Sequence, residues 1–171
     1  MKILIAGEGG QGVQLIAELL ARAAFLEGKS SLYIPNFGVE QRGGVSLAFV
    51  VIDNKPVVYP KFEKADILAI LCDRAFERVI NYIDNKTLVI FGPAITKKKL
   101  TGLRENNLFK VNSGWFPPKV WNILVLGKIN NLGKVVSFES LKKVMTEKLK
   151  EKFLKDISLK ELDERALAFY K

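Results

Sequence analysis

Residues 7–12 read Gly-Glu-Gly-Gly-Gln-Gly and follow an apolar run, Ile3-Leu4-Ile5-Ala6, without a break. Beyond them Val13, Ile16, Leu19, Leu20 and Ala23–Ala24 recur at helical spacing, and Gly28 supplies a stop. A buried strand, a glycine turn and an amphipathic helix in that order leave few folds open. Glycines let the backbone turn sharply and come close to a ligand, while the free N–H groups of the helix start face it. Gly7, Gly9 and Gly12 fit the G-x-G-x-x-G dinucleotide fingerprint. A dinucleotide site also needs an acid ~20 residues on, at the end of the second strand, to hold the ribose hydroxyls. Here the second strand, Ser31–Pro35, ends in Asn36-Phe37-Gly38; Glu27 precedes it and Glu40 lies in the next loop. The turn predicts a phosphate-type cradle and argues against NAD.

The rest of the chain alternates strands and helices. A polar loop from Asn36 to Gly44 leads into a β-branched run, Val45–Ile52. Asp53–Pro56 reads as a turn and Val57–Tyr59 as a short return strand, so this pair is expected to form an antiparallel hairpin. Ile67–Leu71 is the near-continuous apolar run of a strand buried on both faces. A helix is expected from Ala75 to Tyr82, strands at Thr87–Phe91 and Leu108–Val111, and a helix from Pro117-Pro118 with Val120, Ile123, Leu124 and Leu126-Gly127 on its apolar face. Two lysine-rich helices close the chain, with Ser137 and Ser158 as N-caps. The pattern predicts an α/β fold over residues 1–171: a single doubly wound, mostly parallel sheet with a β-hairpin insertion and C-terminal helices.

Composition narrows the chemistry. A chain of 171 residues that is 49% hydrophobic suits one folded domain. No apolar run approaches the ~20 residues that span a bilayer, and Glu8 with the glycines cuts the first apolar stretch too short for a leader. A cytoplasmic location is the simplest expectation. One cysteine, Cys72, allows no internal disulfide and no multi-cysteine cluster, and the absence of His removes the commonest general base. The net charge of +9 suits nucleic acid, phosphate-bearing ligands or an acidic protein. From Lys142 to Lys160, however, Glu147, Glu151 and Asp156 are interleaved with the lysines, as on a solvated, salt-bridged helix face.

In doubly wound sheets ligands bind beyond the carboxyl ends of the strands. The glycine turn lies there, and so does the loop from Pro35 to Gly44, where Arg42 offers a planar fork and Gly43-Gly44 give close backbone access. Gln11 either donates to a ligand or caps the turn. Ser113-Gly114-Trp115-Phe116 reads as an adenine platform or as a contact with a neighbouring subunit. Cys72 ends an apolar strand beside Asp73, which marks a structural thiol, since a carboxylate would raise its pKa. With no catalytic constellation and no metal cluster, this chain alone is not expected to be a complete enzyme.

Four motifs run through the chain in order. Gly7 and Gly9–Val13 form Gly-x-Gly-Gly-Gln-Gly-Val. Pro35, Gly38, Glu40, Arg42, Gly43, Gly44 and Ser46 form Pro-x-x-Gly-x-Glu-x-Arg-Gly-Gly-x-Ser. Asp66 opens an apolar strand, and Asn122, Leu126 and Gly127 form Asn-x-x-x-Leu-Gly. In these the sequence resembles the gamma subunit, or equivalent fused domain, of the 2-oxoacid:ferredoxin oxidoreductases, which act on pyruvate, 2-oxoglutarate, 2-oxoisovalerate or indolepyruvate. The resemblance implies a complex that oxidatively decarboxylates a 2-oxoacid to an acyl-CoA and passes electrons to ferredoxin. Thiamine diphosphate and iron–sulfur clusters would then sit on alpha, beta and ferredoxin-like partner subunits. It further implies that this chain completes the assembly and the coenzyme A side of the site. Gly9, Gly10, Gln11, Gly12, Arg42, Gly43 and Gly44 are the candidate contacts, with Lys97–Lys99 as an electrostatic addition. Two other readings compete with it, a stand-alone dinucleotide-binding protein and a basic nucleic-acid-binding module. No helix-turn-helix, RNP-type or zinc pattern supports the second of these.

Overall fold

The structure, a computed structural model, describes residues 1–37, 44–59, 61–96 and 100–171. Six strands form one sheet: β1 (Lys2–Glu8), β2 (Ser30–Phe37), β3 (Val45–Asp53), β4 (Ile67–Ile70), β5 (Leu88–Phe91) and β6 (Leu108–Lys110). Their spatial order is β2-β3-β1-β4-β5-β6. β1, β4, β5 and β6 are parallel neighbours, whereas β3 pairs antiparallel with both β1 and β2. Only β3 therefore runs against the others, and the expected α/β sheet is present.

The hairpin differs from expectation in its partner. β3 pairs with β2, from Ser30↔Asp53 to Phe37↔Ser46, and not with Val57–Tyr59, which form no strand. The reason is burial. Ala48 to Ile52 are covered on both faces of β3, as in a central strand, whereas Val58 and Tyr59 are exposed. Val57 instead donates its N–H to the Ser30 hydroxyl at 3.0 Å. β2 carries Pro35 and takes the sheet edge, where a missing N–H is tolerated.

Alternating side chains feed two cores. Ile3, Ile5, Val50, Ile67 and Ile90 face α1 (Val13–Leu26) and a helical layer toward the C-terminus. Leu4, Ala6, Phe49, Leu68 and Ile70 face α2 (Asp73–Val79) and the loops beside it, where Phe49, Phe62 and Tyr82 pack edge to face. α2 hands over to a 3-10 turn at Ile80–Tyr82. Pro118–Val120 likewise form a 3-10 turn that leads into α3 (Trp121–Gly133). Three helices, not two, follow: α4 (Phe138–Lys148), α5 (Lys150–Lys155) and α6 (Ile157–Ala168). Ser137 caps α4 as expected. Asp156 caps α6 by accepting from the Leu159 N–H at 3.0 Å, and Ser158 donates to that same carboxylate. A carboxylate is the stronger acceptor, so the aspartate takes the cap. Lys142 and Lys148 pair with Glu164 and Glu18, as a salt-bridged face requires.

Two acids tune stability in opposite directions. Glu27 joins the end of α1 to the start of α4, accepting from Ser137 N–H at 2.6 Å and from Lys29 Nζ at 3.1 Å. Burial pushes its pKa up, but the hydrogen bonds from Ser137, Lys29 and Ser140 outweigh it and hold it at about 2. Asp163 is 3% exposed and has no hydrogen-bond partner among the described residues. Burial raises it to about 6 against the pull of Lys152 and Lys119.

The lowered pKa of Glu27 gives stability that is present above its unfolded value and drains as pH falls toward 2. Glu27→Gln is expected to cost about 2 kcal/mol at pH 7, less at pH 3. Asp163 is raised, so stability falls as pH climbs from its unfolded value to about 6, above which the penalty is fully present. Asp163→Asn is expected to stabilise by about 1 kcal/mol at pH 7.5, with the gain fading toward pH 4. Urea titrations across pH read both slopes.

Candidate functional site

The glycine turn is built as a joint between β1, β3 and α1. Gln11 folds back, its N–H bonded to the Glu8 carbonyl at 3.1 Å and its Oε1 accepting from the Glu8 N–H at 2.8 Å. Gln11 therefore caps the turn, and its Nε2 has no partner among the described residues. Gly7 is required by this packing, since a Cβ there would stand 2.7 Å from the Gln11 Oε1 and 2.9 Å from Val13. Gly12 starts α1 with φ +79°, a left-handed conformation that favours glycine, and a Cβ on it would lie 2.5 Å from Asn122. The first motif thus meets the Asn-x-x-x-Leu-Gly motif in space. The latter's Gly127 admits α6, because a Cβ there would stand 2.8 Å from the Leu167 carbonyl.

The other motif residues also find structural work. Gly9 donates its N–H to the Gly44 carbonyl at 3.1 Å, which joins the two glycine loops. Ser46 Oγ accepts from Gln14 Nε2 at 2.8 Å, while Tyr33 donates to the Gln14 Oε1 at 2.5 Å. Asp66 accepts from the Lys2 N–H at 2.6 Å and ties the start of β1 to that of β4. Glu40, Arg42, Gly43 and Lys97–Lys99 lie outside the described residues.

A cleft of about 260 Å³ opens beyond the carboxyl ends of β1, β4 and β5. Gly10 and Gln11 form one wall, Gly92, Pro93 and Ala94 a second, and Pro118, Lys119, Trp121 and Asn122 a third. Two helix starts converge on it. Neither α1 nor α3 carries an acid in its first turn, and neither has a side-chain cap. Their positive dipole ends carry no acid in the first turn, and Lys119 adds a cation that is partly balanced by Asp156. The Lys119 side chain is 49% exposed and is steered by Asp156 at 3.8 Å. The cleft suits a phosphate-bearing or otherwise anionic ligand with an apolar portion.

Sequence reasoning located Gly10 and Gln11 here but missed Lys119 and the Gly92–Ala94 wall. The signal for Lys119 was its place directly after Pro117-Pro118, at a helix start. A separate cleft of about 230 Å³, lined by Asn130, Lys134, Phe138 and Tyr170 among others, lies away from the glycine turn. Cys72 is 7% exposed at the start of α2, and burial raises its pKa, as expected of a structural thiol. Phe116 stacks on the Trp115 ring at 4.2 Å and the Arg165 guanidinium lies 4.3 Å from its centre, while Trp115 stays 56% exposed. Among the described residues no group of three or more His, Cys, Asp or Glu stands where it would hold a metal ion, and no helix is long and apolar enough to cross a membrane.

The strand order excludes the dinucleotide reading on geometric grounds. In a dinucleotide fold the second strand lies beside the first, so its terminal acid reaches the ligand at the glycine turn. Here β3 separates β1 from β2. The end of β2 lies two strand spacings from β1, roughly 10 Å, where the dinucleotide fold has one. What remains is a doubly wound domain with an anion-suited cleft at its glycine turn.

Comparison with known proteins agrees with that architecture. Residues 2–164 match the pyruvate ferredoxin/flavodoxin oxidoreductase family. The chain is 30% identical over 153 residues to the 2-oxoglutarate synthase subunit KorC of Methanocaldococcus jannaschii, spanning 85% of this chain and 82% of that one. It is 43% identical over 72 residues to the pyruvate/ketoisovalerate oxidoreductases common subunit gamma of Pyrococcus furiosus, a stretch of 42% of this chain and 39% of that one. The fold superposes with a TM-score of 0.84 on a 2-oxoglutarate:ferredoxin oxidoreductase from Magnetococcus marinus. That match has 19% identity and covers 99% of this chain and 30% of that one. The chain belongs to the pyruvate ferredoxin/flavodoxin oxidoreductase family, as a gamma-type subunit of the 2-oxoacid enzymes.

The glycines of the turn differ in what a methyl group would meet. Gly10→Ala meets nothing within 4 Å but must hold φ +92°. It is expected to cost about 1 kcal/mol in backbone strain. Gly12→Ala adds displacement of Asn122 and is expected to cost about 2–3 kcal/mol. Thermal unfolding of the two variants gives the order directly.

Proposed function

We propose that this chain is the gamma component of a complex that oxidatively decarboxylates a 2-oxoacid to its acyl-CoA with ferredoxin as electron acceptor, and that it is inactive alone. Thiamine diphosphate and iron–sulfur clusters belong to partner subunits of the alpha, beta and ferredoxin-like types. They supply the decarboxylation and the electron path. This chain contributes binding to the coenzyme A side of the site, in the cytoplasm.

The observation that carries this reading is the convergence of two acid-free helix starts and Lys119 on the cleft at Gly10 and Gln11. A coenzyme with three phosphates on an apolar arm is the kind of ligand such a cleft attracts. The Magnetococcus marinus protein, 30% of whose chain this fold matches, holds coenzyme A and succinyl-CoA together with 2-oxoglutarate. At about 260 Å³ the cleft is smaller than the roughly 300–1,000 Å³ of complete small-molecule pockets. It therefore takes one part of the coenzyme, and a partner surface supplies the rest. Gly9 and Gly44 hold the two loops together beside it, and Gly12 fixes Asn122 in its wall. Arg42 and Gly43 remain candidates on the loop that Gly44 closes.

Anaerobic purification of the tagged chain from its native host tests the assembly. Recovery with larger subunits and CoA-dependent oxidation of a 2-oxoacid is expected, and an assay across pyruvate, 2-oxoglutarate and 2-oxoisovalerate names the substrate. A solitary chain holding a dinucleotide would overturn the reading. Within the complex, Lys119→Ala is expected to raise the KM for CoA about fivefold, the equivalent of roughly 1 kcal/mol for one half-exposed charge. The KM for the 2-oxoacid should not move.

A further inference from the structure

The segment from Asn112 to Trp121 joins two surfaces. At one end Trp121 lines the cleft and its Nε1 donates to the Phe116 carbonyl at 2.9 Å. At the other end Trp115 stands 56% exposed. Its ring stacks with Phe116 at 4.2 Å and meets the Arg165 guanidinium at 4.3 Å. The end of α6 holds the same segment. Phe169 packs edge-on against Phe116 at 5.5 Å, and the Tyr170 hydroxyl accepts from the Asn112 N–H at 2.6 Å.

Arg165 is the informative member. Its guanidinium lies 4.3 Å from the centre of the indole and makes no hydrogen bond or ion pair among the described residues. A guanidinium held over a ring keeps its planar fork of N–H donors free at the edge and preordered for a carboxylate. Phe169 is 43% exposed beside it. Trp and Arg are the residue types on which interfaces concentrate their binding energy. The nearby ring cations have one sign, since Lys128 covers Tyr170 at 4.6 Å, and the chain as a whole carries +9.

We infer that Trp115, Arg165 and Phe169 form the docking surface for a larger partner subunit of the same complex, which presents a carboxylate to Arg165 beside an apolar side chain. The inference rests on the gamma-subunit reading. Charge complementarity selects an acidic partner. Continuity selects one that also reaches the cleft, because the docked segment leads through Phe116 and Trp121 into the wall of a site that is incomplete on this chain. Docking would fix that wall as the partner closes the rest of the pocket.

The test uses the complex from the native host, with benzoylphenylalanine replacing Trp115 for photo-crosslinking. The expected adduct joins position 115 to a peptide of a larger subunit that contains Asp or Glu. Arg165→Glu is expected to weaken retention of that subunit by tenfold or more, and Lys150→Glu, the same charge change on exposed α5, is not. Changing the acid of the crosslinked peptide to Arg should restore binding to the Arg165→Glu chain. Unchanged retention in Arg165→Glu, or an adduct only to a second copy of this chain, to nucleic acid or to nothing, would overturn the inference. If the unsubstituted chain is itself recovered alone, the gamma-subunit reading has failed, whereas a stable complex indifferent to Arg165 sinks only the docking surface. Circular dichroism on each variant separates lost docking from lost folding.

Discussion

The strand β3 inserted between β1 and β2 is the constraint on which the rest of this molecule depends. Its ladder runs along the full length of both neighbours and is covered on both faces. By occupying that position it pushes β2 to the edge, where Pro35 is harmless, and moves the end of β2 away from the glycine turn. A turn that matches a dinucleotide fingerprint is thereby separated from the strand that would complete a dinucleotide site. The same insertion brings Gly44 against Gly9, whose N–H bonds to its carbonyl.

The site that remains is electrostatic in character. Its positive potential comes less from side chains than from two helix starts that lack acids and caps, aimed at one cleft from α1 and α3. Gly12 makes that convergence sterically feasible, because its missing Cβ is the space Asn122 occupies. Gly127 does the same one helical turn and a half further along α3, where α6 leans on it. Glycines that look like a ligand-binding signature are here at least as much a packing device. Lys119 stands at the rim, paired with Asp156, the cap of α6, and within the field of Asp163.

Much of the architecture was legible because hydrophobic periodicity reports burial, and burial in a doubly wound sheet follows the element type. Ile67–Leu71 and Thr87–Phe91 announce central parallel strands, and Val13–Ala24 an amphipathic helix. The hairpin was misread because sequence proximity favours Val57–Tyr59 as the partner of β3, whereas pairing is decided by which strand offers a long ladder and a buried face. The cap of α6 was misplaced by two residues, since Ser158 and Asp156 are both competent and only the local geometry shows the carboxylate accepting. Gln11 and Trp115 were each read with two open roles. The structure assigns Gln11 to the turn and sets Trp115 against Phe116 and Arg165.

By itself the sequence determined the fold class, the position of the glycine turn at a strand end, the absence of histidine and, through four ordered motifs, the family. Those properties are local or compositional: they depend on which residues follow one another and on which types are missing. Only the tertiary structure decided that β3 lies between β1 and β2, that Gly12 meets Asn122, and that Lys119 shares a cleft with Gly10 and Gln11. Each of these joins residues far apart in the chain, and such contacts are chosen by the burial of whole faces rather than by any residue's own preference.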